Sequence, residues 1–269
     1  MGKYANHFKA QAVVVSHRFW LVGVLWLLAV PSARAQQEWL GWVGGKRVYL
    51  AWPDEGLKPG QPVLLALHGS GREAESYRPE SPQGVPFYVH QRDLALSGGY
   101  LFAAVSNGRA TWGTDEGLQA VLTLYDSLRQ HAAVAEKWVL WGSSAGGVLT
   151  NRLVREHPDK VLKVLGTFPV YDLAAAFDHL QTARDAWQEK EKAERANPAR
   201  DPAPLSKVPY LLFHGREDEA VPAPMHSERL RQEVNALGGQ VQLYLVPGGH
   251  STQNFALYQD DLIRAFLQK

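Results

Sequence analysis

The sequence contains no cysteine, which excludes disulfides, thiolate metal sites, lipid attachment at a cysteine and a cysteine nucleophile. It also lacks an excess of charge: 28 Lys and Arg stand against 27 Asp and Glu, a formal +1, so there is no basic footprint for nucleic acid. Nor is there an internal repeat or a low-complexity tract. The longest apolar run, residues 19–30, falls short of the roughly 20 residues a helix needs to span a bilayer. A chain without bridges must be held by its core. With 269 residues, 45% of them hydrophobic, it has enough material for one large domain.

The first 35 residues have the layout of an export signal. Lys3, Lys9 and Arg18 precede the apolar run, and the small-residue sequence Ala33-Arg34-Ala35 follows it. The expectation is a signal peptide over 1–35, cleaved after Ala35. That leaves residues 36–269 as a single secreted or periplasmic domain without a stable membrane span. Losing those four bases leaves 24 against 27 acids, a net −3.

Along 36–269, apolar runs of strand length recur at 47–52, 63–68, 100–106, 138–142, 161–168, 210–214 and 241–246. Several are continuous rather than alternating, as in strands buried on both faces of a parallel sheet. Between them lie helical patterns. Residues 115–130 open with two acids and repeat Leu118, Val121, Leu122 and Tyr125 at helical spacing. This alternation predicts an α/β fold with a mostly parallel central sheet flanked by helices. The segment 172–207 breaks the alternation and reads as a small helical insertion. Leu173, Phe177, Leu180 and Trp187 fall near one helical face, whereas 189–195 is almost wholly charged and expected to face water. Two readings stay open for it, a cap over the site or a solvated excursion.

Three loops after strand runs carry chemistry. Gly142-Ser143-Ser144-Ala145-Gly146 sets G-x-S-x-G between a strand and a helix, the setting in which a sharp turn presents a serine nucleophile, here Ser144. Ser143 is excluded because Trp141 occupies the position of its leading glycine. Leu67-His68-Gly69-Ser70-Gly71 follows an earlier strand, and its two glycines let backbone N–H groups approach a ligand. His214-Gly215-Arg216-Glu217-Asp218-Glu219-Ala220-Val221-Pro222 follows 210–214, and Pro247-Gly248-Gly249-His250-Ser251 follows 241–246.

The pattern H-G-x-x-D-x-x-V-P after a late strand resembles the acid loop of α/β-hydrolases of the carboxylesterase/phospholipase, dienelactone-hydrolase and prolyl-oligopeptidase groups, and the Gly-Gly-His turn resembles their histidine loop. The resemblance covers about residues 47–269 and implies the α/β-hydrolase fold. It makes Ser144 the nucleophile, Asp218 the acid and His250 the base, with Asp172 as the rival acid. The chain order Ser, Asp, His is the one this fold requires. It also assigns the oxyanion hole to the backbone N–H groups of Ala145 and Ser70. The loop His68-Gly69-Ser70-Gly71 departs from the HGGG of hormone-sensitive-lipase relatives, which puts that subgroup in doubt. Trp112, Tyr171 and Trp187 are read as walls of a substrate pocket, with core packing as the alternative.

The expected activity is hydrolysis of carboxylic esters, small or polymeric, through an acyl-enzyme, and this chemistry asks for no metal or organic cofactor. The alternatives are a serine peptidase of the prolyl-oligopeptidase type, a feruloyl or acetyl-xylan esterase, and a non-catalytic binding protein on the same scaffold.

Overall fold

The computed structural model describes residues 36–268, so the export signal expected over 1–35 lies outside the described residues. The apolar runs become strands β2 (Lys46–Pro53), β3 (Val63–Leu67), β4 (Leu101–Val105), β5 (Trp138–Ser143), β6 (Val161–Thr167), β7 (Tyr210–Gly215) and β8 (Val241–Val246). They are preceded by β1 (Gln36–Val43), which the sequence reading did not include. Its polar start, Gln36-Gln37-Glu38, and its place at the sheet edge hide its pairing with β2. A signal for it was nevertheless present. Gly44 and Gly45 join the two strands with φ of 55° and 76°, the backbone that a tight two-residue hairpin demands and that glycine adopts most easily.

Among the described residues the strands form one sheet of order β1-β2-β4-β3-β5-β6-β7-β8. The pairings β1–β2 and β2–β4 are antiparallel and all the others parallel. Strands β3, β4, β5 and β7 are buried along their whole length, which explains their continuous rather than alternating hydrophobicity.

Helices cover both faces. On one, α2 (Asp115–His131), α3 (Gly146–Glu156) and α7 (Ser227–Ala236) bury residues such as Leu124, Leu153 and Leu230 against Leu65, Leu140 and Leu212. On the other, α1 (Pro86–Ser97) and α8 (Asp260–Gln268) bury Phe87, Leu94 and Ile263 against Leu64, Phe102 and Phe213. The start of α2 is fixed by Thr114, whose hydroxyl accepts from the Gly117 N–H, and by Asp115 and Glu116 in the first turn. The end of α8 is held by a cation from the sheet. Buried Lys163 on β6 donates its ammonium to the carbonyls of Phe266 at 2.8 Å and Leu267 at 3.3 Å. It thereby satisfies acceptors that a helix terminus otherwise leaves open.

The insertion is three seven-residue α-helices, α4 (Leu173–His179), α5 (Gln181–Trp187) and α6 (Lys190–Ala196), followed by 3-10 turns at Pro198–Arg200 and Ala203–Lys207, rather than one amphipathic helix with a solvated tail. Gln188, at φ 60°, ends α5. The charged stretch does not face water throughout. Ala193 is fully buried, so α6 packs inward through its alanines while its charges point out. Leu173, Ala176, Ala183, Trp187 and Ala193 share an apolar cluster with Trp112, Ala145, Val148 and Val221. The insertion therefore lies against the turn that carries Ser144. Asp172 caps α4 by accepting from the Ala174 and Ala175 N–H groups, receives the Asn197 amide at 2.7 Å, and pairs with Arg229.

Candidate active site

Ser144 sits between β5 and α3 at φ 52°, in the left-handed region where a residue bearing a Cβ is strained. The turn closes because its glycines have no side chains. A Cβ on Gly142 would overlap the Thr150 hydroxyl, and one on Gly146 would overlap the Leu67 carbonyl. One on Gly147 would lie 2.6 Å from Pro169 Cβ. The neighbouring Ser143 is buried and committed to structure, with its Oγ 2.6 Å from Thr167 Oγ1 and accepting from Gln91 Nε2 at 3.1 Å.

From Ser144 a chain of hydrogen bonds runs inward. Its Oγ is 2.8 Å from His250 Nε2, and His250 Nδ1 is 2.7 Å from Asp218 Oδ2. The carboxylate side chain is completely buried, while the imidazole is partly open to solvent. Burial alone would raise the Asp218 pKa, but hydrogen bonds from His214 and His250, the charge of His250 and the Val221 N–H together hold it well below the usual carboxylate range. An ionised Asp218 can only accept, so His250 carries its proton on Nδ1 and leaves Nε2 free to accept from Ser144.

Gly69 lies against this serine. A Cβ on Gly69 would stand 3.2 Å from Ser144 Cβ and 3.1 Å from the Tyr88 hydroxyl. The Gly69 N–H is itself spent on Tyr88, donating to its hydroxyl at 3.1 Å. That hydroxyl is buried, and burial pushes its pKa up to about 12. In contrast, no hydrogen bond to another described residue takes up the Ser70 or the Ala145 N–H. His68 is structural: it is buried, accepts the Asn107 N–H on Nε2 at 3.1 Å, and burial lowers its pKa.

Not every residue singled out in the sequence lies in the cleft. Asp172, the rival acid, is occupied as the α4 cap described above. Trp112, Tyr171 and Trp187 are 2%, 0% and 9% exposed, which corrects the reading of them as pocket walls. Trp187 donates its indole N–H to the Trp112 carbonyl at 2.9 Å, and Tyr171 donates its hydroxyl to Glu233 at 2.6 Å. Trp112 and Trp187 fasten the insertion to the start of α3, and Tyr171 packs in the core between the sheet and α7. Phe168, by contrast, stands beside His250. It follows β6 at φ 40°, an unusual backbone for a bulky side chain. Its ring meets the His250 imidazole edge to face at 4.7 Å and stacks on Phe87 at 5.4 Å. A positive φ at phenylalanine has no sequence signal. Among the described residues no group of His, Asp or Glu is arranged to hold a metal ion, and no helix is long and apolar enough to cross a membrane.

Comparison with known proteins gives this geometry a setting. No curated protein sequence matches the chain. Among solved structures it is similar to the S-formylglutathione hydrolase of Staphylococcus aureus, with a TM-score of 0.65 and 14% identity over 87% of this chain and 97% of that one. It is also similar to the acylaminoacyl peptidase of Pyrococcus horikoshii (TM-score 0.65, 16% identity, 87% of this chain and 41% of that one). A third is the puromycin-hydrolyzing peptidase of Mycobacterium tuberculosis (TM-score 0.67, 17% identity, 90% of this chain and 40% of that one). The chain thus spans nearly the whole of the first and about two fifths of each peptidase. The sheet order, with helices on both faces, is that of the α/β-hydrolase fold. The model of the prolyl oligopeptidase family matches residues 93–269, more than half of the sequence, and the chain belongs to that family of α/β-hydrolase serine hydrolases.

Proposed function

We propose that the protein is an exported esterase that cleaves carboxylic esters through an acyl-enzyme on Ser144. The observation that carries this reading is the unbroken hydrogen-bond chain from Ser144 Oγ through His250 to Asp218, at 2.8 and 2.7 Å. His250 Nε2 removes the hydroxyl proton as Oγ adds to the ester carbonyl, and Asp218 supports the imidazolium that forms. The Ala145 and Ser70 N–H groups receive the alkoxide. Collapse expels the alcohol, which takes the proton from Nε2. Water, deprotonated by the same nitrogen, then adds to the acyl-enzyme and frees the acid and Ser144.

Ester rather than amide chemistry is favoured by one comparison. An S-formylglutathione hydrolase, acting on a thioester, is matched over 97% of its length, whereas the peptidases are matched only in part. Membership of the prolyl oligopeptidase family supports a second reading, a peptidase. Turnover of p-nitrophenyl acetate, butyrate and palmitate beside alanyl and prolyl p-nitroanilides separates them. The expected result is faster turnover of the short esters, and anilides turned over faster than esters would make the peptidase the better reading. The export half of the proposal draws on the basic, apolar and Ala33-Arg34-Ala35 sequence. N-terminal sequencing of protein from its native host should begin at Gln36, and a retained Met1 would remove it.

A further inference from the structure

The acid of the triad is shared by two histidines. His214, the first residue of the His214-Gly215 pair that ends β7, is fully buried, and its Nε2 lies 2.7 Å from the Val221 carbonyl and 3.2 Å from Asp218 Oδ2. Both neighbours are acceptors, so Nε2 carries a hydrogen. Its Nδ1 is 2.7 Å from Ser227 Oγ, a hydroxyl able to donate to it. Every polar atom of a neutral imidazole is then satisfied in one tautomer only, with Nε2–H divided between the carbonyl and the carboxylate. The carboxylate in turn receives three donors from three segments: His250 Nδ1–H and His214 Nε2–H on Oδ2, and the Val221 N–H at 2.8 Å on Oδ1.

We propose that His214 is a positioning residue for the triad, fixing the Asp218 carboxylate in the rotamer and hydrogen-bonding state that receives His250. The proposal rests on the reading of Ser144, His250 and Asp218 given above. The other titratable groups facing the pair are His226 at the start of α7, with Asp172 and Arg229 beyond it, and Tyr258 on the α8 side. Glu217 is held separately by the Gly248 N–H. Without the His214 donor, Asp218 has one hydrogen bond fewer on the oxygen that binds His250. It becomes a stronger partner for the imidazolium and is freer to rotate. The first effect moves the acid limb of kcat/KM to higher pH, and the second lowers kcat.

The test compares His214→Phe, His214→Gln and His214→Asn by kcat, KM and pH profile on a soluble p-nitrophenyl ester, normalised to sites labelled by a fluorophosphonate probe. A glutamine amide can bring an N–H to the place of Nε2, whereas an asparagine amide reaches only the place of Nδ1. His214→Phe and His214→Asn should lose about ten-fold in kcat with KM little changed, and their acid limbs should rise by roughly half a pH unit. His214→Gln should recover most of both. Should the Phe variant not fold, the Gln and Asn pair reads the same contrast. Ser227→Ala, which frees the tautomer, should give a smaller shift of the same sign. Variants that melt earlier but keep the wild-type acid limb and kcat per labelled site would reduce His214 to a packing residue and overturn the proposal. Ester turnover surviving in Ser144→Ala would instead remove the reading of the triad itself.

Discussion

The loops that carry Ser144, Asp218 and His250 and the insertion at 172–207 lie side by side, yet they are held by opposite means. Around the serine the chain is packed backbone against backbone, and glycine is required wherever a Cβ would meet a carbonyl or a neighbouring side chain, as at Gly142, Gly146 and Gly147. The insertion has no such constraint. Its short helices are fastened by small residues, Ala176, Ala183, Ala193 and Ala196, by Leu173, and by one aromatic anchor, Trp187. Positional precision is thus written in glycines, whereas attachment is written in alanines, one leucine and one tryptophan. The first region should fail in activity when altered and the second in stability.

The largest expected effect is on the precise side. Ser144→Ala should lower kcat by as much as about 10⁶ while leaving the melting temperature near wild type. More than a few per cent of residual ester turnover in the folded variant would end the comparison at its starting point. On the attached side, Trp187→Ala removes the anchor and its hydrogen bond to the Trp112 carbonyl. It should cost about 3 kcal/mol in denaturant unfolding. A loss in kcat without a loss in stability would mean that the insertion acts on chemistry rather than on packing.

His226 stands at the seam of the two regions, accepting the N–H groups of Tyr171 and Asp172 on its Nδ1 at 3.2 Å. Burial is the largest cause that lowers its pKa to about 4. The folded protein therefore resists binding a proton that the unfolded chain accepts near 6.5. Stability that is complete above about pH 6.5 should be lost as pH falls toward 4, by about 3 kcal/mol in total. His226→Asn keeps an acceptor but cannot titrate, so its melting temperature should vary less between pH 7 and 4. An unchanged pH slope would show that another group controls it. Smallest of all, Lys190→Gln breaks an exposed pair with Asp178, 2.7 Å apart on the outer side of the insertion. Thermal melts of the variant should overlay those of the wild type, because solvent screens an exposed pair.

The same contrast accounts for what could be read in the sequence. The buried strands announced themselves because both of their faces are apolar, as in Leu101-Phe102-Ala103-Ala104-Val105. Ser144, Asp218 and His250 were legible because each stands in a loop whose glycines or proline mark a turn after a strand. Trp112, Tyr171 and Trp187 misled, since an aromatic after a strand or on a short helix has the same local pattern whether it faces a cleft or the core. The break of the insertion into three helices was not legible either, because Gln188 gives no hint of its left-handed backbone. Tyr88 and Phe168 come within reach of Gly69 and His250 only through the tertiary fold. His214 was visible as half of a His-Gly pair, but its second carboxylate contact depends on how the loop to Val221 curls back.

Ser144 and His250 are separated by 106 residues, and Lys163 reaches the carbonyl of Phe266 across 103. Contacts of that sequence separation close late, because a long loop must be ordered before they are rewarded. The nucleophile therefore has no base until β8 has joined the sheet and brought the His250 loop across. A chain stalled with β3 to β7 assembled would possess a formed serine turn and no catalytic power. Recovery of ester turnover during refolding is in this sense a clock for the final stage of assembly, and it should lag behind the burial of the central strands.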